Sequence, residues 1–210
     1  MNTPRGRPFD EDRHQEQRGK LLKAAAELLK EKSYRSVTVR EVAERAALNS
    51  AMVRYYFKNK EGLFVALFEE ISQRQFGHIQ NVLESEDPIR AFISAMLQMA
   101  TRNREMVRFI HDEVLAEDSK LKEAFFQGVP RRIAKFLPEL IKTQINQGRM
   151  RSDLDPKWAA FSLVGMIMLP IVIAPIRQGV WDISDEQIDK PQWAEHIYQL
   201  FMTGCRQEKA

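Results

Sequence analysis

Apolar residues recur every three or four positions along almost the whole chain, and no stretch alternates convincingly as a strand does. A first helix is expected over about residues 13–32, where Leu22, Ala25, Ala26 and Leu29 form one apolar stripe. The same spacing predicts further helices over about 60–83, 88–100, 104–116, 120–147, 158–176 and 191–205. Pro130 and Pro138 are expected to break or bend the long region that ends at Gly148. The pattern predicts an all-α protein.

Two very short helices are predicted between residues 38 and 57. Thr38 and Glu41 match a capping box that begins a helix at Val39, and Asn49 or Ser50 can cap a second helix over 51–57. A helix of that length is unstable alone, so packing must hold it. Val53 and Phe57 are expected to face inward. An outward surface of small, basic and aromatic residues suits the major groove of DNA.

These positions carry a resemblance to a known family. The segments Thr38, Val42-Ala43, Ala46-Ala47-Leu48-Asn49, Tyr55-Tyr56-Phe57 and Lys60-Glu61-Gly62-Leu63 resemble the helix-turn-helix of the TetR family of transcriptional regulators, over about residues 15–65. Ala47 stands where that family usually has a turn glycine, which is compatible with the fold if the turn does not require a positive φ. Arg54 stands where the family often has tyrosine, and it affects the expected operator sequence more than the fold.

The resemblance implies three regions: a flexible basic arm at 1–12, a three-helix DNA-binding domain at 13–62, and a helical effector-binding and dimerisation domain at 63–210. It implies that Thr38 and Arg40 lie near the phosphates or the groove edge. It also implies candidate base contacts at Ser50, Ala51, Met52, Arg54 and Tyr55, and backbone contacts at Tyr56 and Lys60. Core packing is the alternative for Tyr55 and Tyr56.

Charge supports a nucleic-acid partner for the N-terminal part. Residues 1–62 contain 14 Lys and Arg against 9 Asp and Glu, whereas the remaining residues contain 18 against 20. Arg5 and Arg7, in Arg5-Gly6-Arg7-Pro8, resemble an AT-hook that enters the minor groove, and a merely solvated arm is the alternative. The single cysteine, Cys205, and the polar first 20 residues are consistent with a cytoplasmic protein without a secretory signal.

The second domain is expected to bind a small-molecule effector and to form a homodimer, as the resemblance implies. Residues that could form an apolar effector pocket are Met96, Met99, Phe109, Glu113, Phe125, Phe126 and Met166, with Met168 beside them. Ordinary core packing is the alternative for the apolar members, and a salt bridge is the alternative for Glu113. The expected dimer interface comprises Trp158, Phe161, Met168, Trp193, Ile197, Leu200 and Phe201.

Other classes of function have weaker support. No phosphate loop, nucleophile elbow or paired cysteine motif is present, and His111, Asp112 and Glu113 are consecutive, so neither an enzyme, a metal site nor a cofactor is expected. Residues 158–176 are long enough to span a bilayer, but Pro170 and Pro175 interrupt them, so a buried helix without a membrane partner is preferred. The expected function is a repressor that an effector releases from a palindromic operator. The alternatives are a sequence-tolerant architectural DNA-binding protein and a helical partner-binding protein.

Overall fold

Helices form the regular structure of the residues that this computed structural model describes, 11–83 and 85–206 with the side chains of 72, 74–81 and 83 excepted. They divide into two compact units, Met1–Leu67 and Phe68–Ala210. The expected all-α class is confirmed by this architecture.

The first unit is a small helical head. Its elements are α1 (Glu11–Glu31), a 3₁₀ turn (Tyr34–Ser36), α2 (Val39–Arg45), α3 (Ser50–Phe57) and the beginning of α4 (Lys60–Leu83). Its core consists of Leu21, Leu22, Ala25, Val37, Val42, Ala43, Val53, Phe57, Leu63 and Phe64. The core takes one side of each short helix, so tertiary packing supplies the stability that two turns of helix lack.

Side-chain caps begin both short helices. The Thr38 hydroxyl accepts from Glu41 N at 3.2 Å, and the Glu41 carboxylate accepts from Thr38 N at 2.9 Å, which confirms the predicted capping box. Hydrogen bonds from Lys32 and then from Thr38 lower the pKa of Glu41 to about 2, so this carboxylate stays charged at neutral pH. Asn49 Oδ1 accepts from Ala51 N at 2.8 Å, so Asn49 rather than Ser50 caps α3.

The turn between α2 and α3 corrects one expectation. Ala47 has φ 53, whereas we expected an alanine here only if the turn avoided a positive φ. An L-residue in the left-handed region costs about 1–2 kcal/mol relative to the right-handed one. The turn therefore keeps its left-handed geometry although its residue is not glycine, and the packing of α2 against α3 offsets the cost.

The second unit packs longer helices around a main apolar core and a smaller cluster beside it. The elements that follow α4 are α5 (Pro88–Arg102), α6 (Arg104–Phe109), a π-helical turn (Ile110–Val114), α7 (Lys122–Gln127), α8 (Val129–Asn146), α9 (Pro156–Val172), α10 (Ala174–Trp181), α11 (Asp185–Ile188) and α12 (Pro191–Cys205). Helix α9 packs against α5, α8 and α12, and α5 also packs against α12. Phe92, Leu137, Ile141, Leu163 and Ile167 are fully buried among them.

Proline positions explain where several expected helices divide. Pro130 lies in the first turn of α8, and Pro138 lies inside that helix without ending it. The helix expected over 158–176 instead ends at Val172, and α10 begins at Ala174 with a bend of 73°. Pro175 has no N–H and its ring clashes one turn back, so the preceding helix cannot continue through it. Within the described residues no single helix is long and apolar enough to span a bilayer, although this bent pair together reaches that length and composition.

One buried arginine holds the segment after the bend. Arg177 is 4% exposed and its Nε donates to Pro170 O at 2.8 Å, while its other nitrogens donate to Ile183 O and to Asp185. Asp185 belongs to α11, a short helix that the apolar pattern did not predict. The Ser184 and Gln187 capping box that begins α11 was visible in the sequence as Ser-x-x-Gln.

Candidate nucleic-acid interface and ligand cavity

Helix α3 presents one face to solvent and buries the other. Val53 and Phe57 are 0% and 6% exposed, as their spacing predicted. Ser50, Ala51, Arg54 and Tyr55 are exposed, whereas Met52 and Tyr56 are half-buried. The outward face therefore has the composition that was predicted for base contact, except that Met52 is partly covered.

Arg54 and Tyr55 form the projecting part of this face. The structure gives the Arg54 guanidinium no partner within the described residues, so its fork of donors is available to an acceptor in solution. Tyr55 is 64% exposed, and its ring meets that of Tyr56 edge-on at 5.0 Å. Tyr55 is therefore not packed in the core, which was the alternative role considered for it.

Tyr56 ties α3 to α1. Its hydroxyl donates to Gln17 Oε1 at 3.0 Å, and its ring lies edge-on to His14 at 4.6 Å. Burial raises the pKa of Tyr56 above its ordinary value. Its hydroxyl is therefore partly engaged in holding the short helix, and a contact with the DNA backbone would share the same group.

The remaining predicted backbone contacts also have internal partners. The Thr38 hydroxyl is occupied by the capping box, and Arg40 Nε donates to Glu44 at 2.8 Å on the exposed side of α2. The Lys60 ammonium lies 4.1 Å from the centre of the Tyr34 ring and donates to Tyr34 O and Arg35 O. Lys60 therefore anchors the 3₁₀ turn to the beginning of α4, a role that the sequence did not indicate. Arg5 and Arg7 lie outside the described residues.

A strained corner connects α3 to α4. Lys58 has φ 70 and ψ −50, and Asn59 N donates to Phe57 O at 2.9 Å across it, the geometry of a γ-turn. A Cβ on Gly62 would lie 2.0 Å from Phe57 O, so only glycine fits there. The glycine in the Lys60-Glu61-Gly62-Leu63 motif is thus explained by a close backbone approach, which fixes the exit of α3.

The second unit contains an apolar cavity of about 560 Å³. Its lining comprises Phe68, Ile71, Met96, Met99, Ala100, Asn103, Met106, Val107, Ile110, Phe125, Gly128, Val129, Pro130, Ile133, Ala134, Leu137, Pro138, Lys157, Ala160, Phe161, Val164 and Met168. Only Asn103 and Lys157 among them are polar. A cavity of this size and character is typical of small-molecule sites.

Some of the predicted pocket residues line this cavity and others do not. Met96, Met99 and Phe125 do, and Met168 joins them although it was also assigned to the dimer interface. The residues outside the lining are Phe109, Glu113, Phe126 and Met166. Phe109 is 6% exposed and stacks on Phe68 at 5.8 Å, so the core-packing alternative describes it. Glu113 lies within the π-helical turn Ile110–Val114, which a regular helical pattern did not predict.

Lys157 and Phe161 are two of the lining residues that the sequence analysis did not assign to a cavity. Lys157 occupies the first turn of α9, and its exposed ammonium has no partner within the described residues. Phe161 lies one turn further along the helix and was expected only at a dimer interface. The i, i+4 spacing of the two residues was the available signal, but nothing in it showed that α9 turns this side to a cavity.

The residues expected at a dimer interface separate into two groups. Trp158, Phe161 and Leu200 are 77%, 81% and 55% exposed, so they can meet another chain. Ile197 and Phe201 are only 2% and 5% exposed because they pack inside their own core, which corrects their assignment to the interface. Trp193 and Met168 are half-buried against the same core.

His111 and Asp112, which were set aside as a metal site because they are consecutive, do interact with each other. His111 Nδ1 and Asp112 Oδ1 lie 2.8 Å apart on the surface, so these two neighbours do meet. Within the described residues no group of three or more His, Cys, Asp or Glu side chains is arranged to hold a metal ion.

Comparison with known proteins agrees with both units. The family model for bacterial regulatory proteins of the TetR family matches residues 21–67, and the model for the AefR-like transcriptional repressor C-terminal domain matches residues 88–202. A curated relative, the uncharacterized HTH-type transcriptional regulator YdeS of Bacillus subtilis, is 28% identical over 180 residues, covering 82% of this chain and 85% of its own.

Two solved structures share the fold at low sequence identity. The transcriptional regulator FadR from Bacillus subtilis in complex with stearoyl-CoA superposes with a TM-score of 0.73 at 18% identity, covering 88% of this chain and 97% of that one. AibR in complex with isovaleryl coenzyme A and operator DNA superposes with a TM-score of 0.66 at 23% identity and the same coverage. Because the second family model alone covers more than half of the sequence, the chain belongs to the TetR family of DNA-binding transcriptional regulators and carries an AefR-like repressor C-terminal domain.

Proposed function

We propose that the protein is a homodimeric cytoplasmic repressor that binds a palindromic operator through α3 and releases it when a small molecule enters the cavity of the second unit. The exposed Arg54 on α3, whose opposite side is buried in the head, supports this proposal most directly. One α3 contacts only a few base pairs, so two copies related by a two-fold axis are needed for useful specificity. The TetR family functions as dimers. The proposed activity is binding and requires no catalysis.

Arg54 is the proposed specificity contact. A guanidinium that pairs with guanine contributes about 1–3 kcal/mol of discrimination against other bases. The Arg54→Ala variant should therefore lose about 5- to 150-fold of its affinity for the operator and much less for random DNA. Fluorescence anisotropy with both DNAs at one fixed salt concentration measures the two losses.

Lys23→Ala is the matched control, because Lys23 is an exposed cation of α1 outside the proposed contact face. We expect Lys23→Ala to weaken binding to the operator and to random DNA slightly and by the same factor. Equal losses for operator and random DNA in Arg54→Ala would refute the role of Arg54. A wild-type specificity ratio near one would instead favour a sequence-tolerant architectural protein.

The cavity suggests the class of effector. Its lining can bury an apolar chain, and the unpaired Lys157 ammonium at the exposed end of α9 suits an anionic group at the end of that chain. Two proteins of the same fold bind stearoyl-CoA and isovaleryl coenzyme A. We therefore propose an acyl thioester of coenzyme A or a related anionic amphiphile as the effector.

Lys157→Met tests this class of effector, because methionine keeps an apolar stem and removes the charge. Operator release by stearoyl-CoA should require about 10- to 150-fold more ligand in this variant, as expected for the loss of one charge-assisted hydrogen bond. Lys190→Met, at another exposed lysine that precedes a helix of the same unit, should leave release unchanged. If Lys157→Met and Lys190→Met respond alike, Lys157 does not contact the anionic group.

A further inference from the structure

Helix α9 has three distinct faces. Successive residues of an α-helix are rotated by about 100°, so positions three and four apart share a side. Leu163, Ile167 and Ile171 point into the core of the second unit. Lys157, Ala160, Phe161, Val164 and Met168 line the cavity. The face that remains is exposed and consists of Trp158, Phe161, Ser162, Gly165 and Leu169.

Phe161 belongs to two of these faces. It lines the cavity, and yet it is 81% exposed in the single chain. The other exposed lining residues are Asn103, Ala134 and Lys157. Lys157 and Phe161 lie one turn apart, so the cavity meets solvent along the first turns of α9. A large aromatic ring thus stands at this opening with most of its surface in water, which is unusual for a finished apolar site.

The occupant that fits the exposed face is a second copy of the chain. The family functions as dimers, and Trp158 and Leu169 extend the apolar surface on either side of Phe161. A Cβ at Gly165 would have nothing within 4 Å, so another helix can approach α9 closely there. Covering this face necessarily covers the Phe161 ring.

We infer that the cavity is completed by the partner subunit, which closes its opening by pressing on Phe161. The inference rests on the proposed homodimer. It goes beyond that proposal, because it makes the dimer part of the ligand site rather than only a means of placing two α3 helices on DNA. Effector binding and dimer formation then favour or oppose each other by the same factor, as linkage requires.

The experiment measures access to the cavity without needing to know the effector. In a Cys205→Ala background, Met96→Cys places the sole thiol on a cavity-lining residue that is 3% exposed in the native chain. Its reaction rate with N-ethylmaleimide is compared between the dimer and the same chain carrying Leu200→Glu, which is expected to be monomeric. Leu200 is exposed on α12 and does not line the cavity. Light scattering reports the oligomeric state of each protein.

The thiol should react at least about tenfold more slowly in the dimer than in the monomer, because the reagent can enter the cavity only when the partner subunit no longer covers its opening. Phe161→Ala in the dimer should restore fast reaction, because it removes the ring and leaves Trp158 and Leu169 in place. Gly179→Cys is the control, since the space around that position is open and its rate should be the same in both states. Met99→Cys replaces Met96→Cys if the latter fails to fold.

Equal rates in monomer and dimer would overturn the inference, whether both are fast or both are slow. A wild-type protein that is monomeric by light scattering would refute the proposed homodimer itself and the inference with it. If Leu200→Glu remains dimeric, Trp158→Glu takes its place. A dimer that survives both substitutions is not formed through this face, which also overturns the inference.

Discussion

Single residues account for most of the departures of this chain from its family pattern. Ala47 shows how a departure can be compatible with the fold and still be costly: the turn retains φ 53, and the alanine adopts it. Gly62 shows the reverse case, in which a carbonyl oxygen 2.0 Å from the position of a Cβ permits no other residue. The two positions differ because a strained dihedral can be offset by packing, whereas overlap with a backbone atom cannot.

We predict that Ala47→Gly stabilises the protein. Glycine avoids the left-handed penalty of about 1–2 kcal/mol but adds about 0.5–1 kcal/mol of unfolded-state entropy. A net gain of up to about 1.5 kcal/mol in the free energy of unfolding is expected, and urea denaturation measures it. Ala51→Gly, at an exposed position in the first turn of α3, should be destabilising in the same assay. An Ala47→Gly variant less stable than the wild type would show that the turn carries no relievable strain.

At the scale of elements, the second unit depends on what happens where helices end. The bend between α9 and α10 follows from Pro175, but its geometry is held by Arg177, whose guanidinium satisfies carbonyls of Pro170 and Ile183 and pairs with Asp185. Asp185 also lies 3.5 Å from Arg104 Nε, and Arg104 binds Asp189. This network joins α6, which borders the cavity, to α10 and α11.

We predict that Arg177→Met destabilises the α10–α11 segment. The substitution removes the donor to two carbonyl groups of half-buried residues, Pro170 and Ile183, and each such loss costs about 1–3 kcal/mol. A decrease of about 2–4 kcal/mol in unfolding free energy is expected, with faster amide hydrogen exchange over residues 174–189. Arg108→Met, at an exposed position on α6, should change neither quantity appreciably. Unchanged exchange in Arg177→Met would mean that the segment is held by its apolar contacts alone.

For the whole molecule, dimer formation decides whether two α3 helices can act together. Of the residues predicted at the dimer interface, Trp158, Phe161 and Leu200 are exposed in the chain, whereas Ile197 and Phe201 belong to the core. The distinction matters for testing, because a charge at Leu200 acts on the surface whereas a charge at Ile197 would unfold the chain.

We predict that Leu200→Glu dissociates the dimer and weakens operator binding. A leucine that is exposed in the single chain and buried at the dimer interface contributes at least about 2 kcal/mol to the free energy of dimer formation. The dimer dissociation constant should therefore rise by about 30-fold or more, which sedimentation equilibrium measures. Val180→Glu is the matched control: Val180 is 72% exposed on α10, outside α9 and α12. Dissociation by Val180→Glu but not by Leu200→Glu would place the interface on α10.

The sequence by itself determined the features that depend on neighbours along the chain. The cap at Thr38, the inward pair Val53 and Phe57, and the bounds of α12 follow from local hydrogen bonding and from helical periodicity. Only the tertiary structure decided which side of each apolar helix faces the core, a cavity or solvent. Helix α9 is apolar on nearly every side, so its pattern held no information that could separate Phe161 from Leu163, and the packing of α5, α8 and α12 around it made that distinction.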